Sequence, residues 1–279
     1  MIFSIEFIKS LKVLGCSHPK AMKKNISALR NYPQEFEAHY GCGLEVGMNL
    51  LNFLTQDNIN IYTSKGVWLP SQSFLDINKL QLFKNFKQVP DSILFLRNLE
   101  SLSIYGKIKK LPSYVFFFKK LESLYLHDNE LTTLPEGLAC LENLITLDLS
   151  SNKFENFPSV ILEMKNLEEL YLHSNHLKTI PIDVNRLKKM KTLVLAQNNI
   201  ECIPHVNELT ELIELDISHN KITHIPPLEN KLKLECLLIN NNQLTALPEG
   251  LNSCNSLEII DISNNQNIET YEGISNREL

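Results

Sequence analysis

"LYLHDNELTTLPEG", residues 124 to 137, returns as "LYLHSNHLKTIPID" at 170 to 183, and "LDLSSNKFENFP" at 147 to 158 falls midway between the two. The unit is therefore 22 or 23 residues long and reads Leu-x-x-Leu-x-Leu-x-x-Asn-x-Leu-x-x-Leu-Pro. Copies begin at Leu99, Leu121, Leu144, Leu167, Met190, Leu212, Leu234 and Leu257, and a poorer one begins at Ile77. Self-similarity at a fixed period of this size predicts an array of stacked units, because one unit cannot bury its apolar side alone.

Within one copy the types are physically assignable. Leu124, Leu126, Leu131, Leu134, Leu138 and Leu141 point inward, each burial being worth roughly 1.5 to 3 kcal/mol. Asn129, Asn152, Asn175, Asn198, Asn220, Asn242 and Asn265 stand just after each strand, where the chain turns inward and buried backbone groups need side-chain partners. A continuous structural Asn ladder would satisfy them. Prolines 135, 158, 181, 204, 226 and 248 fix φ and lack an N–H, which suits extended return segments and argues against long helices there.

The spelling resembles the leucine-rich repeat family, in its intracellular Leu-Pro class, over roughly residues 77 to 270. The resemblance implies an α/β fold: a curved leucine-rich repeat solenoid with a parallel β-sheet on its concave face and extended or 3₁₀ segments on its convex face. It also implies a non-enzymatic protein-protein interaction module that binds a partner protein through the concave side. Repeats of this spelling are similar to those in effectors of intracellular bacterial pathogens, and the Lys/Asn/Ile-rich composition resembles an AT-rich bacterial source. An alternative function is therefore a translocated effector or regulatory subunit acting on a host protein.

Residues 1 to 76 do not keep the period. Phe3, Phe7, Leu11 and Leu14 recur at helical spacing, "SHPKAMKKNISALR" carries helix-start residues, and "PQEFEAHY" and "LEVGMNLLNFL" read as further short helices. This predicts a small α-helical N-terminal cap over the apolar solenoid end, followed by eight or nine repeats and a short C-terminal tail, 271 to 279. The template frays at the first end, where Lys107 stands in an Asn position and the Ile77 unit is a residue short.

The chain has 279 residues, 43% of them hydrophobic, and no apolar run near the roughly 18 residues of a membrane span. Glu6, Lys9 and Lys12 interrupt the first apolar stretch, unlike a secretory signal peptide. Six scattered cysteines without a Cys-x-x-Cys pair read as free thiols in a reducing, cytoplasmic compartment, with Cys140 as a small core residue. Translocation into a host cell without a cleavable signal stays open. Residues 1 to 120 hold 16 Lys+Arg against 8 Asp+Glu, and residues 121 to 279 hold 11 against 24. An acidic solenoid is a poor nucleic-acid surface. No phosphate loop, metallohydrolase helix, nucleophile elbow or calcium loop is spelled. "HYGCG" at 39 to 43 sets a His beside Cys42, the one stretch that invites an enzyme reading, but sequence neighbours rarely form a catalytic dyad. No catalytic residue, metal site or cofactor is assigned.

Side chains alternate along a strand, so residues between the strand leucines emerge on the concave face. One outward row runs Gln81, Ser103, Tyr125, Asp148, Tyr171, Val194, Asp216, Leu238, Asp261; the next runs Phe83, Tyr105, His127, Ser150, His173, Ala196, Ser218, Asn240, Ser263. The preceding row adds Glu169 and Glu214. Tyr105, Tyr125, His127, Asp148, Glu169, Tyr171, His173, Glu214 and Asp216 are the candidate partner-binding residues, since Tyr gives large rigid area and a hydroxyl at low entropic cost. Exposed Tyr and His can also be mere sheet formers packed beside each other. His127 and His173 lie two strands apart, about 10 Å, too far for a shared metal with bonds of about 2 Å.

Overall fold

The computed structural model describes Leu50, Leu54 and residues 59–63, 66–67, 72–86 and 91–265. The strands β1 (Ile59–Thr63), β2 (Gly66–Val67), β3 (Ile77–Phe86), β4 (Ser101–Gly106), β5 (Ser123–Tyr125), β6 (Thr146–Asp148), β7 (Glu169–Tyr171), β8 (Thr192–Val194), β9 (Glu214–Asp216), β10 (Cys236–Leu238) and β11 (Ile259–Asp261) form one sheet. From β3 to β11 they pair in parallel, each with its neighbour in sequence. Leu102, Leu124, Leu147, Leu170, Leu193, Leu215, Leu237 and Ile260 share one register row, all buried. One period of sequence thus becomes one strand spacing in the solenoid.

The return segments are 3₁₀ turns, at Ser113–Phe117, Glu136–Cys140, Ser159–Glu163 and Ile182–Arg186, each preceded by a proline in extended conformation. The proline carbonyl accepts the N–H three residues on, as from Leu138 to Pro135 at 3.0 Å. A proline needs no partner for its own nitrogen, so it starts the turn without an orphaned donor. The residue before each ladder Asn takes a left-handed φ of 50 to 56°, from Asp128 through Ser151, Ser174, Gln197, His219 and Asn241 to Asn264.

At each step the Asn carboxamide closes the turn. Asn175 Nδ2 reaches the carbonyls of Leu149 (3.0 Å), Leu172 (3.1 Å) and His173 (3.3 Å), while its Oδ1 accepts from Phe154 N at 3.0 Å. The same pattern runs from Asn129, which receives Ile108 N and reaches Ile104 O, to Asn265, which receives Leu244 N. Lys107 cannot supply such an amide, so the ladder begins one unit later.

Two expectations are corrected. The helical reading of residues 1 to 76 fails at 59–67, where β1 and β2 form a hairpin and β1 pairs antiparallel with β3. The signal was there: Ile59 and Ile61 alternate, and Gly66 opens β2 opposite Thr63. Leu50 and Leu54 are helical and buried in the common core, and the other helical assignments before 59 lie outside the described residues. So does the tail, 271 to 279. Cys140 is exposed, not a core residue. In its turn Leu138 and Leu141 take the inward positions, three apart, and Cys140 falls between them; among the described residues the buried thiol is Cys254, which occupies the position of Leu141 in the last unit. Position 231 of that same column also departs from pattern. Phe118, Leu141, Met164, Leu187 and Leu209 are followed there by Lys231, fully buried, its ammonium donating to Asn207 O at 3.2 Å. Burial pushes its pKa down, with Cys254 and Glu208 pulling the other way.

Candidate binding surface

Three rows of outward side chains are set by this register. Ser101, Ser123, Thr146, Glu169, Thr192, Glu214, Cys236 and Ile259 align in the first, and Ser103, Tyr125, Asp148, Tyr171, Val194, Asp216, Leu238 and Asp261 in the second. The third follows the strands' ends, its carbonyls accepting in steps from Asp128 N to Ser150 O, Ser151 N to His173 O and Ser174 N to Ala196 O. All nine candidate residues are partly exposed on this face.

The structure brings some of them together. In the third row Phe83 stacks on Tyr105, ring centroids 5.1 Å apart and planes 14° from parallel, and Tyr105 meets His127 at 4.2 Å with a 57° tilt. His127 Nδ1 lies 3.0 Å from Asp148 Oδ2. The other oxygen of Asp148 accepts from Ser150 N at 2.9 Å and from Ser150 Oγ at 2.6 Å. Burial would raise the Asp148 carboxyl, but the bonds from His127 and Ser150 and the imidazole's charge outweigh it and hold the pKa below the usual carboxylate range. Asp148 thus fixes the His127 ring. The three side chains are not arranged as a nucleophilic triad, because Ser150 and His127 bond to opposite oxygens of one carboxylate instead of to each other. Phe83 is the residue the sequence reading passed over; its place in the third row was the available signal.

Towards the other end the face is acidic. Thr146 Oγ1 donates to Glu169 Oε2 at 3.1 Å. Burial, then the charges of Glu169, Glu214 and Asp148, push the Tyr171 phenol up to about 12. Burial, then Asp216 and Glu169, push the Glu214 carboxyl up. His173 joins neither group, and its Nδ1 is buried without a hydrogen-bond partner. Among the described residues no three His, Cys, Asp or Glu side chains converge as a metal-binding group, and no helix is long and apolar enough to cross a membrane. A cleft on the convex side, between the Glu136–Cys140 and Ser159–Glu163 turns, contains none of the nine residues.

A family model described as leucine rich repeat matches residues 97–154 and 165–222. A leucine-rich repeat protein of Leptospira interrogans is 36% identical over 68% of this chain and 50% of that one, with a TM-score of 0.63. The ectodomain of the plant membrane receptor kinase GASSHO1/SCHENGEN3 from Arabidopsis thaliana, in complex with CASPARIAN STRIP INTEGRITY FACTOR 2, is 25% identical over 68% of this chain and 24% of that one, at a TM-score of 0.58. An internalin of Listeria monocytogenes shares the fold at 20% identity, covering 70% of this chain and 58% of its own, again with a TM-score of 0.58. The chain spans half or less of the first two. No curated protein matches it.

Proposed function

Starting from a chain whose repeats belong to the leucine-rich repeat family, we propose that it is a non-enzymatic recognition module that holds a partner protein against its concave sheet. The observation that carries the reading is the composition of the face itself. Phe83, Tyr105 and His127 form a contiguous ring row, Asp148 fixes the imidazole, and carboxylates follow beside Tyr171. Aromatic side chains held in one orientation by neighbours bind with little loss of entropy, and a rigid sheet holds them in place. The plant receptor ectodomain is seen in complex with CASPARIAN STRIP INTEGRITY FACTOR 2, which supports a binding role for the fold. A host protein as partner, bound by a translocated bacterial effector, is the second reading; the 36% identity to a Leptospira leucine-rich repeat protein supports only its bacterial side.

The test is affinity capture with the full chain beside a Tyr125/His127/Tyr171/His173 quadruple alanine variant whose circular-dichroism melt is unchanged. A protein held by the first and lost by the second identifies partner and surface together. Equal capture by both removes the concave face from consideration.

A further inference from the structure

Between β7 and β9 the concave face forms a trough. Its middle strand, β8, presents Thr192 and Val194, with Ala196 just beyond its end, and Val194 and Ala196 are only 9% and 8% exposed, so the floor is low and mostly apolar. In register with Val194 stand Tyr171 on one side and Asp216 on the other. In register with Thr192 stand Glu169 and Glu214. We propose that this trough seats an arginine side chain borne on an extended, basic segment of the partner protein; the proposal rests on the concave-face reading above and names the chemistry of its occupant.

Flanking rows two strands apart are separated by about 10 Å. A flat group at van der Waals distance, about 3.5 to 4.0 Å, from each side takes up about 7 to 8 Å of such a gap. Guanidinium is flat, keeps its charge, stacks on an aromatic face and presents a fork of donors to carboxylates, which an ammonium cannot do together. The apolar floor keeps water from beneath it, strengthening each contact.

The electrostatics ask for a cation. Among the described residues no Lys or Arg forms an ion pair with Glu169, Glu214 or Asp216; Lys191 turns to Glu168 at 2.6 Å and Lys233 to Glu211 at 2.6 Å. Burial first, and then the neighbouring carboxylates, push Tyr171 and Glu214 up. Beside Ala196 in the third row, His173 offers a buried Nδ1 without a partner. Beside the ring row at Phe83, Tyr105 and His127 the Asp148 carboxylate is already taken up by His127 and Ser150, so the seat belongs to the second half of the face.

The experiment is a calorimetric titration of the full chain with hexa-arginine and hexa-lysine at about 0.15 M salt, where exposed charges more than about 8 Å apart are screened. Hexa-arginine is expected to bind more tightly than hexa-lysine. Glu214→Gln with Asp216→Asn should weaken hexa-arginine at least about tenfold, as loss of charge-assisted hydrogen bonds does. Tyr171→Leu should remove the preference for arginine over lysine, and Ile182→Ala, in an exposed turn of the convex side, should leave both unchanged. Absent or equal binding of the two peptides by the unmodified chain, or unaltered binding by the charge variant, overturns the arginine seat. If the peptide result is negative while the quadruple variant still loses its protein partner, the concave reading stands and the seat alone is discarded. If capture also survives that variant, both fall.

Discussion

The Asn175 carboxamide serves three carbonyls and one amide from two adjacent units at once. Asn175→Ala leaves these buried groups without partners at a cost of about 1 to 3 kcal/mol. Urea unfolding should show the loss as a lower midpoint at unchanged slope. Asn265→Ala should cost less, because part of that cluster is already exposed. Lys231 is the opposite case, a charge set where its column otherwise holds apolar side chains. Lys231→Met should raise stability by on the order of 1 kcal/mol or more, since the buried ammonium has one weak partner. The sign of its pH dependence follows from the lowered pKa. The unfolded chain binds more protons than the folded one between that lowered value and the ordinary lysine range, so stability rises with pH there. The advantage of Lys231→Met should therefore be full below that window and shrink as pH climbs through it, as thermal melts across a pH series would show.

At the scale of elements, the convex turns pack against one another. A Cβ at Gly137 would stand 2.4 Å from Phe116 Cδ1, so the ring of one turn rests on the bare backbone of the next. Gly137→Ala must displace the Phe116 ring or the turn that carries it, at about 1 to 3 kcal/mol by overpacking. Adding Phe116→Ala should recover part of that loss, a coupling that a double-mutant cycle reads directly. Both substitutions lie far from the concave rows and should leave partner binding intact. The hairpin of β1 and β2 performs a different task at the sheet's first edge, covering the backbone groups of β3 that an open edge would offer to another chain.

For the molecule as a whole, contacts run mainly between neighbouring units, so stability should be set by units and interfaces more than by position along the chain. Excising residues 144–166, one full unit, joins Asn143 to Leu167 in register and should leave a cooperative circular-dichroism melt with the same spectrum per residue. Excising only residues 144–155 breaks the register and should abolish or strongly lower that transition. The full excision also removes Asp148 and Ser150, so His127 loses the carboxylate that fixes it while the fold survives, separating recognition from architecture.

The sequence alone determined the pitch of the solenoid, the strand leucines, the proline-led turns and the three outward rows. A parallel in-register stack converts a separation of one period into a neighbouring strand, so periodicity is enough. Tyr125, Asp148 and Tyr171 could be placed side by side without coordinates for that reason. Features that break the period were decided by the tertiary structure. The hairpin at 59–67 pairs with a single edge, Cys140 turns outward because its two leucine neighbours fill the interior, and Lys231 is buried by the stacking of adjoining coils. Side-chain direction within the face was likewise beyond reading. That His127 leans to Asp148, and that Val194 and Ala196 sink into a floor beside Tyr171, depends on how unlike side chains pack across neighbouring strands, and no repeat of a single chain encodes that.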